Sequence, residues 1–595
     1  MSSTPSNPYL ETLRLALACH QQGRLPEAES LYRRVLQLEP RQPDALRLLG
    51  VLFHQRGELE LARHFLEQAL QAPTASAESS HALGLAFDDL GRPDAAIASY
   101  EKALHLRPEH TPSLLQLAIA CEKHDRLADA ESCLRRLVKL KPDSALAHLK
   151  LATVLEGANR LEEAQIHAET AIRCLPENPE AYLCLGTILI RRNQVSDAVP
   201  FFNHAVQLDP AAGACAVQML RAVLNEGTRG WENRLATDPS DFDALLSLAK
   251  IRYSEKKPLE AIALLERALA VQPGEPNAEY ALAFAELLLA RFETGWKHYE
   301  ARLRTGQRQF PNRKFLQPAW HGEDLGGQTI FLHAEQGVGD TIQFVRYAPM
   351  VAERGGRVVL ECQPALKPLL EAFRGVHRLI VQGESLPPSD VQVPLLSLPA
   401  IFRTTLKSIP NQVPYLRIPD SVPFELPATP RDRLKVGVVW AGNPALQNDL
   451  VRSVALNELS PLFSMQTISF FSLQVGPARR QLAMSKDAAR IIDLAPRLSD
   501  FAKTAAAISR LDLIISVDTA VAHLAGALAK PIWLMLPFAP EWRWLLDRKD
   551  SPWYPSMRLF RQPAPDDWAS VVTRIVDEIR SIDPGSARPT TNERQ

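Results

Sequence analysis

Two rhythms of apolar and polar positions divide this chain. Up to about residue 305, apolar residues recur at helical spacing in segments broken at regular intervals. From about residue 318 short apolar runs take over: TIFLHAEQ, RVVLEC, RLIVQ and VQVPLL, each followed by helical or turn-forming sequence. The first rhythm predicts an all-α array. The second predicts strands alternating with helices, hence parallel sheets.

The interval in the first part is 34 residues, marked by Gly23, Gly57, Gly91, Asp125, Asn159 and Asn193. These residue types tolerate the left-handed backbone of a tight turn between helices. Five residues after each comes an alanine (Ala28, Ala62, Ala96, Ala130, Ala164, Ala198), small enough to let two helices of a hairpin approach. Prolines at Pro40, Pro108, Pro142, Pro176 and Pro210, with Pro73 one place early, end the second helix of each unit. The pattern resembles the tetratricopeptide repeat, a helix–turn–helix that stacks into a superhelix. About eight units are expected over residues 10–305, one of them shortened near 211–240. The last has Gly295 in the alanine position and no closing proline, as expected of a repeat that docks on the following domain. Asp241-Phe242-Asp243, though it has the form of a DxD metal site, falls where a helix begins and reads as a cap.

The second part falls into two blocks, 318–420 and 433–582, joined by the proline-rich stretch PDSVPFELPATPRDR. In the second block KVGVVWAG, ISFFSLQ and LDLIISVD read as strands, with helices near 499–510 and 519–529. Residues 1–9 and 584–595 read as disordered ends. Ligands of doubly wound sheets sit beyond the carboxyl ends of the strands, and two junctions there carry candidate chemistry. Gly337-Val338-Gly339-Asp340 follows the first strand; it is either a ligand-approach loop or a tight turn with Asp340 as a helix cap. IISVDTAVAHLAGALAKP places Asp518 at a strand end, Thr519 as a natural N-cap, and His523 one turn on along the same face. His523 is read as a site histidine or as a core histidine.

These motifs, with the SLQ strand and PFAPEWRWLLDRKDSPWYP, resemble the bacterial heptosyltransferase-like family of glycosyltransferases (family 9). The resemblance implies a GT-B fold of two facing Rossmann-like halves behind the repeat superhelix. The pairing of repeats with such a unit also resembles, in organisation, the O-linked N-acetylglucosamine transferases. What the family implies for residues is a general base at Asp340 and a nucleotide-sugar donor on the second sheet. That donor would be held by Gly337, Gly339, Asn443, Gln474, Asp518, Thr519 and His523. One departure matters: where the family has a basic residue facing the donor phosphates, this loop reads GNPALQNDLVRS. Leu446 and Gln447 stand in its first half and Arg452 is its only cation, so Arg452 either neutralises the diphosphate or makes an ordinary salt bridge. Trp542, Trp544 and Trp553 are read as packing for a C-terminal helix in preference to a sugar platform.

Composition narrows the picture. Lys plus Arg is 67 against Asp plus Glu at 68, a formal charge of −1, which argues against nucleic acid as a partner. Seven scattered cysteines fit free thiols, and with no signal-peptide pattern or apolar run of membrane-spanning length a cytoplasmic protein is expected. The expected activity is inverting, metal-independent and cofactor-free glycosyl transfer from a nucleotide-diphosphate sugar to a hydroxyl. The acceptor is expected on a protein or peptide recruited by the repeats. Two alternatives stay open: a catalytically silent repeat scaffold, and a nucleotide-sugar epimerase of the same architecture.

Overall fold

The computed structural model describes residues 8–72, 74–192, 194–211, 228–305, 315–446 and 449–581. Pro73, Asn193, most of the shortened repeat, Gln447 and the expected tail 584–595 lie outside the described residues, as do the first seven residues of the expected disordered start. The chain separates into two compact units, residues 1–198 and 199–595.

In the first unit, hairpins follow one another from Pro8–Gln21 with Leu25–Leu38 onward. Gly23, Gly57, Gly91, Asp125 and Asn159 all adopt positive φ, between 58° and 76°. The spaced alanines Ala28, Ala62, Ala96, Ala130, Ala164 and Ala198 are fully buried. No larger side chain fits at these points without spreading the hairpin. Tetratricopeptide-type repeats are therefore present.

The second unit continues with hairpins Phe242–Ser254 with Pro258–Val271, and Pro276–Leu288 with Phe292–Tyr299. Asp241 caps the first of these, its carboxylate accepting from Ala244 N–H at 3.1 Å, so capping accounts for the DxD sequence. In the last hairpin Gly295 replaces the spaced alanine because a Cβ there would lie 2.8 Å from the Leu287 side chain. Two sheets follow, each parallel throughout. The first has β1 (Thr329–His333), β2 (Arg357–Cys362), β3 (Arg378–Val381) and β4 (Val391–Pro394) in the order β3-β2-β1-β4. The second has β5 (Leu434–Val439), β6 (Ile468–Ser472), β7 (Ile491–Asp493), β8 (Leu513–Val517), β9 (Ile532–Leu536) and β10 (Met557–Arg561) in the order β10-β9-β8-β5-β6-β7. Strand order reverses between β1 and β4 and between β5 and β8, so crevices open at the carboxyl ends of those strands. Near-continuous apolar strands such as LIISV and IWLML are what burial on both faces requires.

The last hairpin is welded to the first sheet. Arg302, with no exposed surface, donates to Glu335 at 2.7 Å, to Ser397 at 2.8 Å and to Glu300 at 2.6 Å. Trp296 Nε1–H donates to the carbonyl of Thr404 at 2.9 Å, and its ring meets Trp542 edge-on at 5.2 Å. The three tryptophans Trp542, Trp544 and Trp553 are buried, but not under a C-terminal helix as the sequence suggested. They share a core with Trp296, Tyr299 and Phe344, whereas the C-terminal helix Trp568–Ser581 covers the other face of the second sheet. Removing Arg302 leaves Glu335 charged and buried without its cation. Arg302→Ala is therefore expected to cost about 3–5 kcal/mol, measured as a lowered urea midpoint of the second unit by tryptophan fluorescence. A loss below about 1 kcal/mol, the range of a surface pair, would show that the contact does not hold the repeat to the sheet.

Candidate functional site

The two sequence junctions meet. The turn after β1 leads into the helix Val338–Phe344, and the turn after β8 leads into the helix Ala520–Ala527. A Cβ on Gly339 would lie 3.0 Å from His523 Cδ2 and 3.5 Å from Ala520 Cα. That glycine is thus required by helix-to-helix contact, where the sequence reading gave the space to a ligand. Gly337 is exposed, and its N–H donates to Asp340 Oδ2 at 3.0 Å.

Asp340 so does cap its own turn, yet its other oxygen does more. Oδ1 accepts from Arg543 Nη2, while Arg543 Nη1 donates to Glu541 and Nε to Gln343 Oε1 at 2.6 Å. One guanidinium from the segment after β9 therefore gathers two carboxylates, one from each sheet's crevice. A third, Asp518, acts on them through space and accepts from Trp544 Nε1–H at 2.8 Å. Burial lifts Asp340 above its usual range, Arg543 opposes the lift and Asp518 adds to it. Burial lifts Glu541 further, to about 7, against Arg543 and with Asp518 and Asp340. The physical reason is simple. Asp340 and Glu541 beside one buried cation cannot both ionise cheaply, so the pair holds a proton more tightly than free carboxylates do.

His523 is buried, stacks on Trp544 with centroids 5.4 Å apart, and shares a hydrogen bond of 2.9 Å with Tyr554 through Nδ1. Burial, with Arg543, Arg346 and Arg452 adding, holds its pKa well below 6.5. Its 4.0 Å approach to Asp518 is accordingly a contact of a neutral imidazole and no ion pair. It is a buried side chain packed beside Asp518.

Other expected donor residues are placed differently from the sequence reading. Thr519 stands at the N-cap position but its side chain does not cap the helix; it bonds Ser516 at 3.1 Å, so the first turn carries no side-chain cap. Gln474 is engaged at every polar atom: its oxygen accepts from Trp440 and Ala441 N–H, and its nitrogen donates to the carbonyls of Ala441 and Val475. It clamps the loop leaving β5 and has no valence left for a nucleoside. Asn443 is exposed and stabilises its own turn through Ala445 N–H at 3.1 Å. Arg452 lies over Gly442 and pairs with the buried Asp449 at 3.0 Å, the salt-bridge alternative, though an internal one. Glu541 and Arg543, in the EWRW segment after β9, were not among the residues expected from the sequence.

Helical repeats are thus joined to two parallel sheets, and the turns after β1 and β8 meet at an acid–arginine cluster. Tetratricopeptide repeat models match residues 9–75, 89–154 and 149–213, and the model of glycosyltransferase family 9 (heptosyltransferase) matches residues 473–533. Protein FlbA of Caulobacter vibrioides is 27% identical over 383 residues, 59% of this chain and 63% of its own length, so the chain spans less than two thirds of that relative. Among solved structures, YrrB, described as a tetratricopeptide-repeat protein with an unusual peptide-binding site, is 20% identical over 29% of this chain and 91% of its own, with a TM-score of 0.27. Pseudomonas aeruginosa PilF is 19% identical over 36% and 96%, with a TM-score of 0.33. Among the described residues no helix is long and apolar enough to cross a membrane.

The raised Glu541 has a consequence for stability. The unfolded chain releases that proton near 4.5 and the folded one near 7. Between those values the folded state binds more protons, so stability falls as pH rises. Glu541→Gln is expected to flatten that decline between pH 5 and 7 in urea titrations. An unchanged slope would place the retained proton elsewhere.

Proposed function

We propose that the cleft transfers a sugar from a nucleotide-diphosphate sugar to an acceptor hydroxyl, with inversion. The reading rests on one observation: Asp340 after β1 and Asp518 with His523 after β8 converge beside the uncapped first turn of the Ala520–Ala527 helix. An uncapped helix start next to a buried guanidinium offers positive potential to a diphosphate. Arg543 then supplies the cation that the loop at Leu446 lacks. As the diphosphate binds, Arg543 turns from Asp340 toward it, and the carboxylate is released to accept a proton from the acceptor hydroxyl. The acceptor oxygen attacks the anomeric carbon opposite the leaving group. The bond from that carbon to the phosphate oxygen breaks, and the diphosphate departs with its electron pair onto the helix N–H groups and Arg543.

The acceptor is a protein or peptide. Tyr280 and Tyr299 of the last hairpin lie within electrostatic reach of Asp340, and Tyr253 of the one before within reach of Glu541, so repeat residues stand near the acid–arginine cluster. A second reading is favoured by the same cluster, because both oxygens of Asp340 are already engaged. In that case the transferase half is silent and the protein is a repeat scaffold.

A thermal-shift screen with UDP-, GDP-, ADP- and dTDP-linked sugars separates the readings, since a ligand that binds the folded state raises its Tm. At least one donor is expected to stabilise the protein; none doing so would favour the scaffold. With the donor known, Asp340→Asn should keep donor binding and lower kcat about 10²–10⁴-fold. Asp518→Ala should instead weaken donor binding. Wild-type kcat in Asp340→Asn would remove Asp340 as the base.

A further inference from the structure

A neutral histidine has two forms, and the nitrogen that carries the hydrogen decides what the ring can do. Burial and the charges of Arg543, Arg346 and Arg452 keep His523 neutral. Its two nitrogens face different partners. Nδ1 shares a hydrogen bond of 2.9 Å with the Tyr554 hydroxyl. Nε2 lies 4.0 Å from Asp518 Oδ1, beyond direct hydrogen-bond reach.

Tyr554 is held in place independently of the histidine. It has no exposed surface, and its ring rests on Gly526 of the helix that carries His523, where a Cβ would come within 2.5 Å of it. The Arg346 guanidinium stands 4.7 Å from its ring centroid and donates to the neighbouring Trp553 carbonyl at 2.8 Å. A second hydroxyl nearby belongs to Tyr415. It accepts from Arg346 at 2.9 Å and donates to the Ile342 carbonyl at 2.9 Å, so it has no hydrogen left for Tyr554. The Tyr554 hydrogen therefore goes either to His523 Nδ1 or to the Tyr415 oxygen. Nδ1 wins, because an imidazole nitrogen is a stronger acceptor than a phenol oxygen that already accepts from a cation, and a phenol is a stronger donor than an imidazole N–H. The far side of the ring agrees. A carboxylate facing Nε2 attracts an N–H and repels a lone pair. Trp544 stacks on His523 and donates to Asp518 at 2.8 Å, which keeps that carboxylate there.

We infer that Tyr554 is a positioning residue that holds His523 in its Nε2–H form, so that the ring turns a hydrogen-bond donor toward Asp518 and cannot act as a base. No bare nitrogen is left: Nδ1 accepts from Tyr554 and Nε2 carries the hydrogen. Proton abstraction in the cleft then falls to a carboxylate. That consequence rests on the proposed function, whereas the tautomer does not.

Long-range proton–nitrogen correlation spectra of the full-length protein, isotope-labelled at histidine, report the tautomer directly, with His523→Gln identifying the signal. At neutral pH the wild type is expected to show one neutral form with its hydrogen on Nε2. Tyr554→Phe keeps the ring but removes the donor, and the share of the Nδ1–H form is expected to rise about tenfold. Tyr415→Phe is expected to keep the wild-type spectrum, because the hydrogen it loses serves Ile342. A wild-type His523 with its hydrogen on Nδ1, or with hydrogens on both nitrogens, would overturn the inference. A wild-type tautomer ratio in Tyr554→Phe would do the same. So would an equal change in Tyr415→Phe, since loosened packing would then explain both. The spectra need no ligand, so their outcome is separate from whether any nucleotide-sugar stabilises the protein.

Discussion

The guanidinium of Arg543 is the point on which the cleft depends. It comes from the second sheet's half, and it holds Asp340 and Gln343 of the helix after β1 together with its own neighbour Glu541. A buried cation of this kind is tolerated only because carboxylates surround it, and they are tolerated only because of the cation. Neither turn could place its acid in the crevice alone. Arg346 repeats the device beside it with neutral partners, donating to the carbonyls of Pro410 and Trp553 and to the Tyr415 hydroxyl. Two arginines thus tie the first sheet's helix to the β9–β10 connection and to the stretch around Pro410 and Tyr415.

The same economy explains why the cluster is suited to chemistry more than to stability. Hydrophobic side chains in these positions would stabilise the interface better. An arginine shared between two acids is instead a movable counter-ion. A diphosphate carries more charge than either carboxylate and competes for it on favourable terms. Under the proposed function the base would then be uncovered only when the donor is present. Arg302 and Glu335 use the identical pairing for the opposite end: fully enclosed and bonded to Ser397, they fix the last repeat against the first sheet. Burial decides the difference, since Asp340 keeps 18% of its side chain exposed and Arg302 keeps none.

The repeats were legible because each depends on local constraints that leave a residue signature: left-handed turns at Gly23 or Asn159, close contact at Ala28 or Ala164. Most strands were legible from apolar runs, and the exceptions have reasons. β7 is three residues long, and β10, MRLFR, interleaves arginines with its apolar positions. At the site, Asp340, Asp518 and His523 could be found because each sits at a strand–turn–helix junction. Arg543 and Glu541 could not, since the partners of Arg543 on the helix after β1 lie some two hundred residues away and nothing local in EWRW announces a charge cluster. The internal partners of Gln474 and Arg452 were not legible for a related cause. Sequence gives a polar side chain's position but not whether the fold has already used its hydrogen bonds.

The central claim is that this cleft holds a donor diphosphate which draws Arg543 away from Asp340. A crystal structure of the full-length protein with a bound nucleoside diphosphate tests it directly. The account predicts phosphate oxygens at the first turn of the Ala520–Ala527 helix and in hydrogen-bond contact with Arg543, with Asp340 released. A diphosphate bound elsewhere, or one bound there with the Arg543–Asp340 pair intact, would contradict it.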